Sequence, residues 1–133
     1  MTLLDGILVE EQFSLNRSPK QGENCVLRAN FNFEFFPQKN EMQEVKLNYL
    51  LDILSGTDKS PIGNIVLKNI YILNVADLKT EDENLRREQI MRFLRDSIKT
   101  SLVNDLNNIF VRGKLSPVHI ATIFPENMSQ KND

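Results

Sequence analysis

The hydrophobic period of this chain changes once, and that change divides it. Up to Asp77 apolar residues recur at every second position, in four segments; from Thr80 to Arg112 they recur every third and fourth. Side chains alternate across a strand with period two and gather on one helix face with period 3.6. A run of four strands followed by one long helix predicts an α+β fold: an antiparallel sheet covered on one side by the helix. The boundaries read as a sheet over about 6–77, a helix over about 81–112 and a tail over 114–133, all in one domain.

The individual segments carry this pattern unevenly. In "GILVEEQFSLNR", Ile7, Val9, Phe13 and Leu15 share one face, with Glu11 as an exception. "CVLRANFNFEFF" alternates most cleanly: Cys25, Leu27, Ala29, Phe31, Phe33 and Phe35 point one way, and Arg28, Asn30, Asn32 and Glu34 the other. Pro37 removes a ladder donor and ends that strand, and "PQKNE" predicts a hairpin. "EVKLNYLLDILSG" and "NIVLKNIYILNV" supply Leu47, Tyr49 and Leu51, then Leu67, Tyr71 and Leu73, to the same face. Short connections, including the one marked by Pro19 and Gly22, predict antiparallel neighbours throughout.

The helix reads as well delimited. Thr80 with Glu83 three residues on has the form of a capping box, and Arg112 and Gly113 mark the stop. About 30 helical residues span roughly 45 Å. A six-residue strand spans only ~20 Å. The apolar stripe therefore exceeds a short sheet; unless the helix breaks near Asn107 and Asn108, the surplus predicts a helix–helix contact with a second chain, at Phe93, Ser97, Ser101 and Leu102. The small serines would permit close approach.

Phe31 and Phe33 read as core, because aromatics at strand spacing pack inside. Phe35 and Phe36 point to opposite faces at the end of their strand, so one is hard to bury. The second sheet face mixes Arg28, Glu34, Lys46, Asp52 and Lys68 with Phe36, Leu50, Leu54, Ile70 and Ile72. A fully solvated face does not need so many large apolar residues, and apolar clusters with a polar rim mark partner surfaces. After Pro117 the tail adds Val118, Ile120, Ile123 and Phe124, ended by Pro125.

Little points to chemistry. One histidine, His119, has no acid or nucleophile at a recognisable spacing, and Cys25 reads as a strand-facing hydrophobe. One His and one Cys do not make a metal site, and no glycine-rich loop cradles phosphate. No catalytic residue, metal or cofactor is expected. Sixteen basic residues against eighteen acidic ones argue against a dedicated nucleic-acid binder. Glu88 can pair with Arg92 on the helix, which suits a solvated face. The N-terminus lacks the pattern of a secretory signal, and no apolar run is long enough for a membrane span, so the cytoplasm is the expected compartment.

The order of four strands, a long helix and a proline-led apolar patch resembles the SecB-like protein-export chaperones. The resemblance rests mainly on "LRREQIMRFLRDSIKTSLVNDLNNIFVRGKLSPVHIATIF", where Arg112 and Gly113 match the family's turn after the helix. Pro117, Val118 and Ile120 match the start of its lid segment. The resemblance implies a homo-oligomer, a dimer or dimer of dimers, with long helices at the subunit interface. It also implies ATP-independent holdase binding of non-native polypeptide in hydrophobic grooves. Client contacts would then fall on Phe35, Phe36, Leu50, Leu54, Ile70, Ile72, Val118, Ile120, Ile123 and Phe124. SecB proteins contact the SecA motor through an acidic sheet face; the mixed charge here departs from that pattern. A non-enzymatic adaptor, or a chaperone dedicated to one client such as an antitoxin, is the alternative on the same fold.

Overall fold

The computed structural model describes residues 1–20 and 23–112. The elements follow in the expected order: β1 (Thr2–Leu15), β2 (Cys25–Phe35), β3 (Met42–Ser55), β4 (Pro61–Asn74) and α1 (Glu83–Arg112). The four strands form one antiparallel sheet in the order β1-β4-β3-β2. This is the α+β arrangement that the change of period predicts.

The β2–β3 hairpin closes as expected. Lys39 and Met42 exchange backbone hydrogen bonds of 3.0 and 2.9 Å, and Asn40 takes the left-handed conformation (φ 56°) that the tight turn requires. The β1–β2 connection does not make a hairpin. It carries the chain from one edge of the sheet to the other, past β4 and β3. Three inter-strand gaps are roughly 14 Å, which the residues between Leu15 and Cys25 can span. β1 instead adds to the free edge of β4, and Asn16 donates its N–H to Ile62 O at 2.7 Å where the connection leaves. Gly63 faces β1 here: a Cβ on it would lie 2.4 Å from the Ser14 carbonyl oxygen, so only glycine fits.

Strand length settles the fate of the helix stripe. β1, β3 and β4 each have 14 residues and β2 has 11. At ~3.3 Å per residue a 14-residue strand reaches about 46 Å, as long as the 30-residue helix. Ile90, Leu94, Ile98, Leu102, Leu106, Ile109 and Phe110 are accordingly all buried within the one chain. The expected surplus shrinks to exposed Leu85 and Val111 and half-buried Phe93; the larger surplus followed from assuming short strands. α1 is continuous, without a break at Asn107 and Asn108. Its N-cap is Asp82 rather than Thr80: Asp82 Oδ1 accepts the N–H of Leu85 at 3.1 Å, satisfying one of the free donors of the first turn.

The core lies between α1 and one sheet face. Phe33, Leu47 and Tyr49 are fully buried there, and Phe31 meets Phe33 edge-on at 6.2 Å between centroids. Asn69 also faces the helix, opposite Leu8 and Leu47, and donates to Tyr71 Oη at 2.9 Å. Burial raises the phenol pKa of both Tyr49 and Tyr71.

Candidate functional site

With most of the helix stripe consumed, most of the exposed apolar surface lies elsewhere. Among the described residues five of the ten exposed large hydrophobics are on β1: Leu4, Ile7, Leu8, Val9 and Leu15. Among the described residues β1 is an edge strand, with β4 as its single sheet neighbour. A long edge with unpaired backbone groups and exposed aliphatic side chains is a template for strand addition, which soluble proteins normally blunt with charge or proline. Here Leu8 is 56% exposed and Val9 49%.

The expected face assignment of β1 is corrected by two irregularities. Register shifts between Leu3 and Asp5, and between Leu8 and Glu10, insert Leu4 and Val9 as extra residues. Each bulge reverses the alternation that follows. Ile7 therefore pairs with Ile70 on the outer face, while Leu8, Glu11 and Phe13 pair with Asn69, Leu67 and Ile65 on the helix face. Ile7, Val9, Phe13 and Leu15 do not share a face. Glu11, the exception in the pattern, lies toward the helix end, 3.9 Å from Arg112. On the same side, partial desolvation, aided by the charge of Glu11, holds the Asp105 carboxyl above its ordinary range.

The outer sheet face carries Leu50, Ile70 and Ile72, each half-buried. Ile7 and Ile70 share a cross-strand row, with Ile72 in the adjacent row, so this patch runs off the sheet at the β1 edge. Elsewhere the face carries Val26 and Val66 together with matched polar pairs. Glu10 and Lys68 pair at 3.4 Å, Asn48 donates to Asn32 at 3.1 Å, and Arg28 stands opposite Asp52. Leu54, expected on this surface, is buried; the β3–β4 register shifts between Ile53 and Leu54. Leu102, expected at an oligomer contact, is 1% exposed and belongs to the core. Phe93 is half-buried against the core; Ser97 and Ser101 are exposed, with Ser97 Oγ donating to Phe93 O at 2.8 Å.

Phe35 and Phe36 do not diverge. The β2–β3 ladder ends at Phe35–Val45, and both phenylalanines line one pocket with the first turn of α1. Phe35 is half-buried and Phe36 is 38% exposed. This pocket joins two elements distant in sequence, which no local pattern announces. Cys25, read as an inward hydrophobe, is exposed at the start of β2, and partial desolvation raises its thiol pKa. Val118, Ile120, Ile123, Phe124 and His119 lie outside the described residues.

The crossover is pinned by Arg17, whose guanidinium donates to both oxygens of Glu23 at 2.8 and 2.6 Å. That pairing, reinforced by the Lys20 N–H at 2.9 Å, holds the Glu23 carboxyl at about 2, from an ordinary 4.5. A depressed carboxylate pKa stabilises the fold above the unfolded value and loses that contribution as pH falls through the folded one. The clamp should be intact above about pH 4.5 and lost towards pH 2. In the Arg17→Ala variant, carboxyl NMR should find the Glu23 titration moved back up towards the ordinary range. An unchanged midpoint would show that Arg17 is not its cause.

Among the described residues no group of three or more His, Cys, Asp or Glu side chains converges as a metal site, and no helix is long and apolar enough to cross a membrane. No family model matches the sequence. No curated protein matches it either. The structure is similar to that of the Mycobacterium tuberculosis Rv1957 SecB-like chaperone in complex with a ChAD peptide from the Rv1956 HigA1 antitoxin. The TM-score is 0.74 over 88% of this chain and 86% of that one, at 13% sequence identity. The chain therefore has a SecB-like fold.

Proposed function

With the SecB-like fold as premise, we propose that this chain is an ATP-independent, non-enzymatic holdase that works as a homo-oligomer and binds non-native polypeptide. The observation that carries the proposal is the apolar edge of β1 in a sheet whose core is otherwise complete. Two such edges can pair to extend the sheet and hide their aliphatic side chains. Ser97 and Ser101, with half-buried Phe93, offer a second contact along the helix. Clients would dock as extended segments on Phe35 and Phe36 and on the Leu50, Ile70 and Ile72 surface. Affinity then scales with the apolar area covered, at roughly 25 cal/mol per Å² before ordering costs. Such binding needs no particular side chain on the client.

Dedication to a single client is the second reading. The similar mycobacterial chaperone is in complex with an antitoxin peptide. The charge-matched outer face, with Lys68 beside Glu10 and Arg28 opposite Asp52, also favours this reading over export by way of an acidic SecA-docking face.

Light scattering from a heat-denatured enzyme should fall sharply when the protein is present at near-equimolar concentration, without nucleotide. Undiminished aggregation at molar excess would remove the general holdase. Protection of one purified antitoxin alongside no effect on the denatured enzyme would select the dedicated form.

A further inference from the structure

The pocket at the end of the β2–β3 hairpin contains a cation that the apolar client surface leaves unexplained. It measures about 380 Å³ and is formed by Phe35, Phe36, Pro37, Gln38 and Gln43 on one side and by Glu83, Arg86 and Arg87 of the first helical turns on the other. The two arginines are held differently. Arg87 is engaged: its Nε donates to Glu83 at 3.2 Å, and its guanidinium lies 5.1 Å from the Phe35 ring centroid. Arg86 is held by neutral groups. It donates to Gln43 Oε1 at 3.2 Å and to Gln38 Oε1. Among the described residues no carboxylate pairs with it.

The support for Arg86 is built in. Gln43 is 2% exposed, and its Nε2 donates to Phe36 O at 2.6 Å and Glu44 O at 2.9 Å. Its amide is thereby fixed with the oxygen turned to Arg86. Gln38 is tied in the same way, through Nε2 to Asn40 O at 2.6 Å. Two amide oxygens position a guanidinium without neutralising it, and a guanidinium carries five donors in a planar fork suited to carboxylate. Arg86 and Arg87 against Glu83 leave the pocket with one net positive charge, beside the exposed ring of Phe36.

We infer that this pocket binds a peptide carboxylate flanked by an apolar side chain, the carboxylate on Arg86 and the apolar group on Phe36. The inference rests on the polypeptide-binding reading and adds a chemical preference to it: client segments in which an acidic group interrupts an apolar run. The carboxylate can come from an acidic side chain or from a chain terminus.

Fluorescence anisotropy with the full chain tests this. The probes are a labelled pentapeptide with glutamate between leucine and phenylalanine residues, blocked at both ends; its glutamine counterpart; and the glutamine peptide with a free C-terminal carboxylate. Charge-assisted hydrogen bonds are the stronger class, and the glutamate peptide should bind wild type about tenfold or more tighter than the blocked glutamine peptide, one decade being about 1.4 kcal/mol. Arg86→Gln should erase the difference, and Arg86→Lys should retain part of it. If the free-terminus peptide alone gains affinity, the source is the chain end. Equal binding of all three peptides to wild type overturns the inference, whether or not either variant folds. Aggregation suppression, measured in parallel, separates the two levels. Suppression without peptide discrimination sinks the pocket and keeps the holdase. Discrimination without suppression keeps the pocket and sinks the holdase.

Discussion

Truncating Phe33 to alanine should cost about 3–5 kcal/mol of folding stability, the range for removing a fully buried aromatic ring. Phe33 is wholly inaccessible, pairs with Leu47 on β3 and meets Phe31 edge-on. The helix above and the sheet beside it cannot close the cavity without moving backbone. Phe36→Ala, three residues on, should shift the denaturation midpoint little, because its ring is 38% exposed past the end of the ladder. Its effect should appear in polypeptide binding instead. Urea titrations of the two variants, each beside an aggregation assay, check the contrast. Equal destabilisation would mean that Phe36 is core, and the proposed client surface would lose its aromatic anchor.

The second large effect should come from the β1 edge. Leu8→Lys combined with Val9→Lys should convert the assembled protein to monomers, read as at least a twofold fall in mass by light scattering. Both side chains are about half exposed in the single chain, so the monomer should tolerate the change; surface substitutions usually lie within about 0.5 kcal/mol. In an assembly the same positions would be buried. Finishing the burial of a half-exposed aliphatic side chain contributes roughly 1 kcal/mol, and two uncompensated lysines would reverse that. Natural edge strands use lysine to prevent pairing of this kind. A wild-type monomer, or an assembly indifferent to the double substitution, would discard the β1 edge as the contact and leave the aliphatic row without a role.

The contrast between Phe33 and Phe36 also marks how far local pattern reaches. Alternation placed Phe31 and Phe33 in the core, and they are there. The same alternation sent Phe35 and Phe36 to opposite faces, yet both line one pocket, just past the last ladder pair at Phe35 and Val45, where Phe36 N–H still donates to Glu44 O at 3.1 Å. The pocket's other wall comes from Arg86 and Arg87, more than 40 positions later. No periodicity links the two. Pattern alone makes Leu102 and Leu54 partner-facing for a related reason: a hydrophobic residue at an element surface looks the same in sequence whether its cover comes from its own chain or another.

What the sequence determined by itself is what depends on neighbouring peptide units. Pleat and helical rise are set by the backbone, so periods of two and 3.6 identify four strands and one helix with an apolar stripe, and Pro37 with the PQKNE stretch marks the β2–β3 hairpin. What only the tertiary structure decided is which of these meet. The order β1-β4-β3-β2, the crossover pinned by Arg17 and Glu23, and the two β1 bulges that reverse its faces all depend on contacts between segments distant in sequence. The strands proved as long as the helix, so the core closed within one chain. The aliphatic surface left over moved from the helix to the sheet edge, where the hydrogen-bonding pattern of a sheet leaves its outermost strand half-paired.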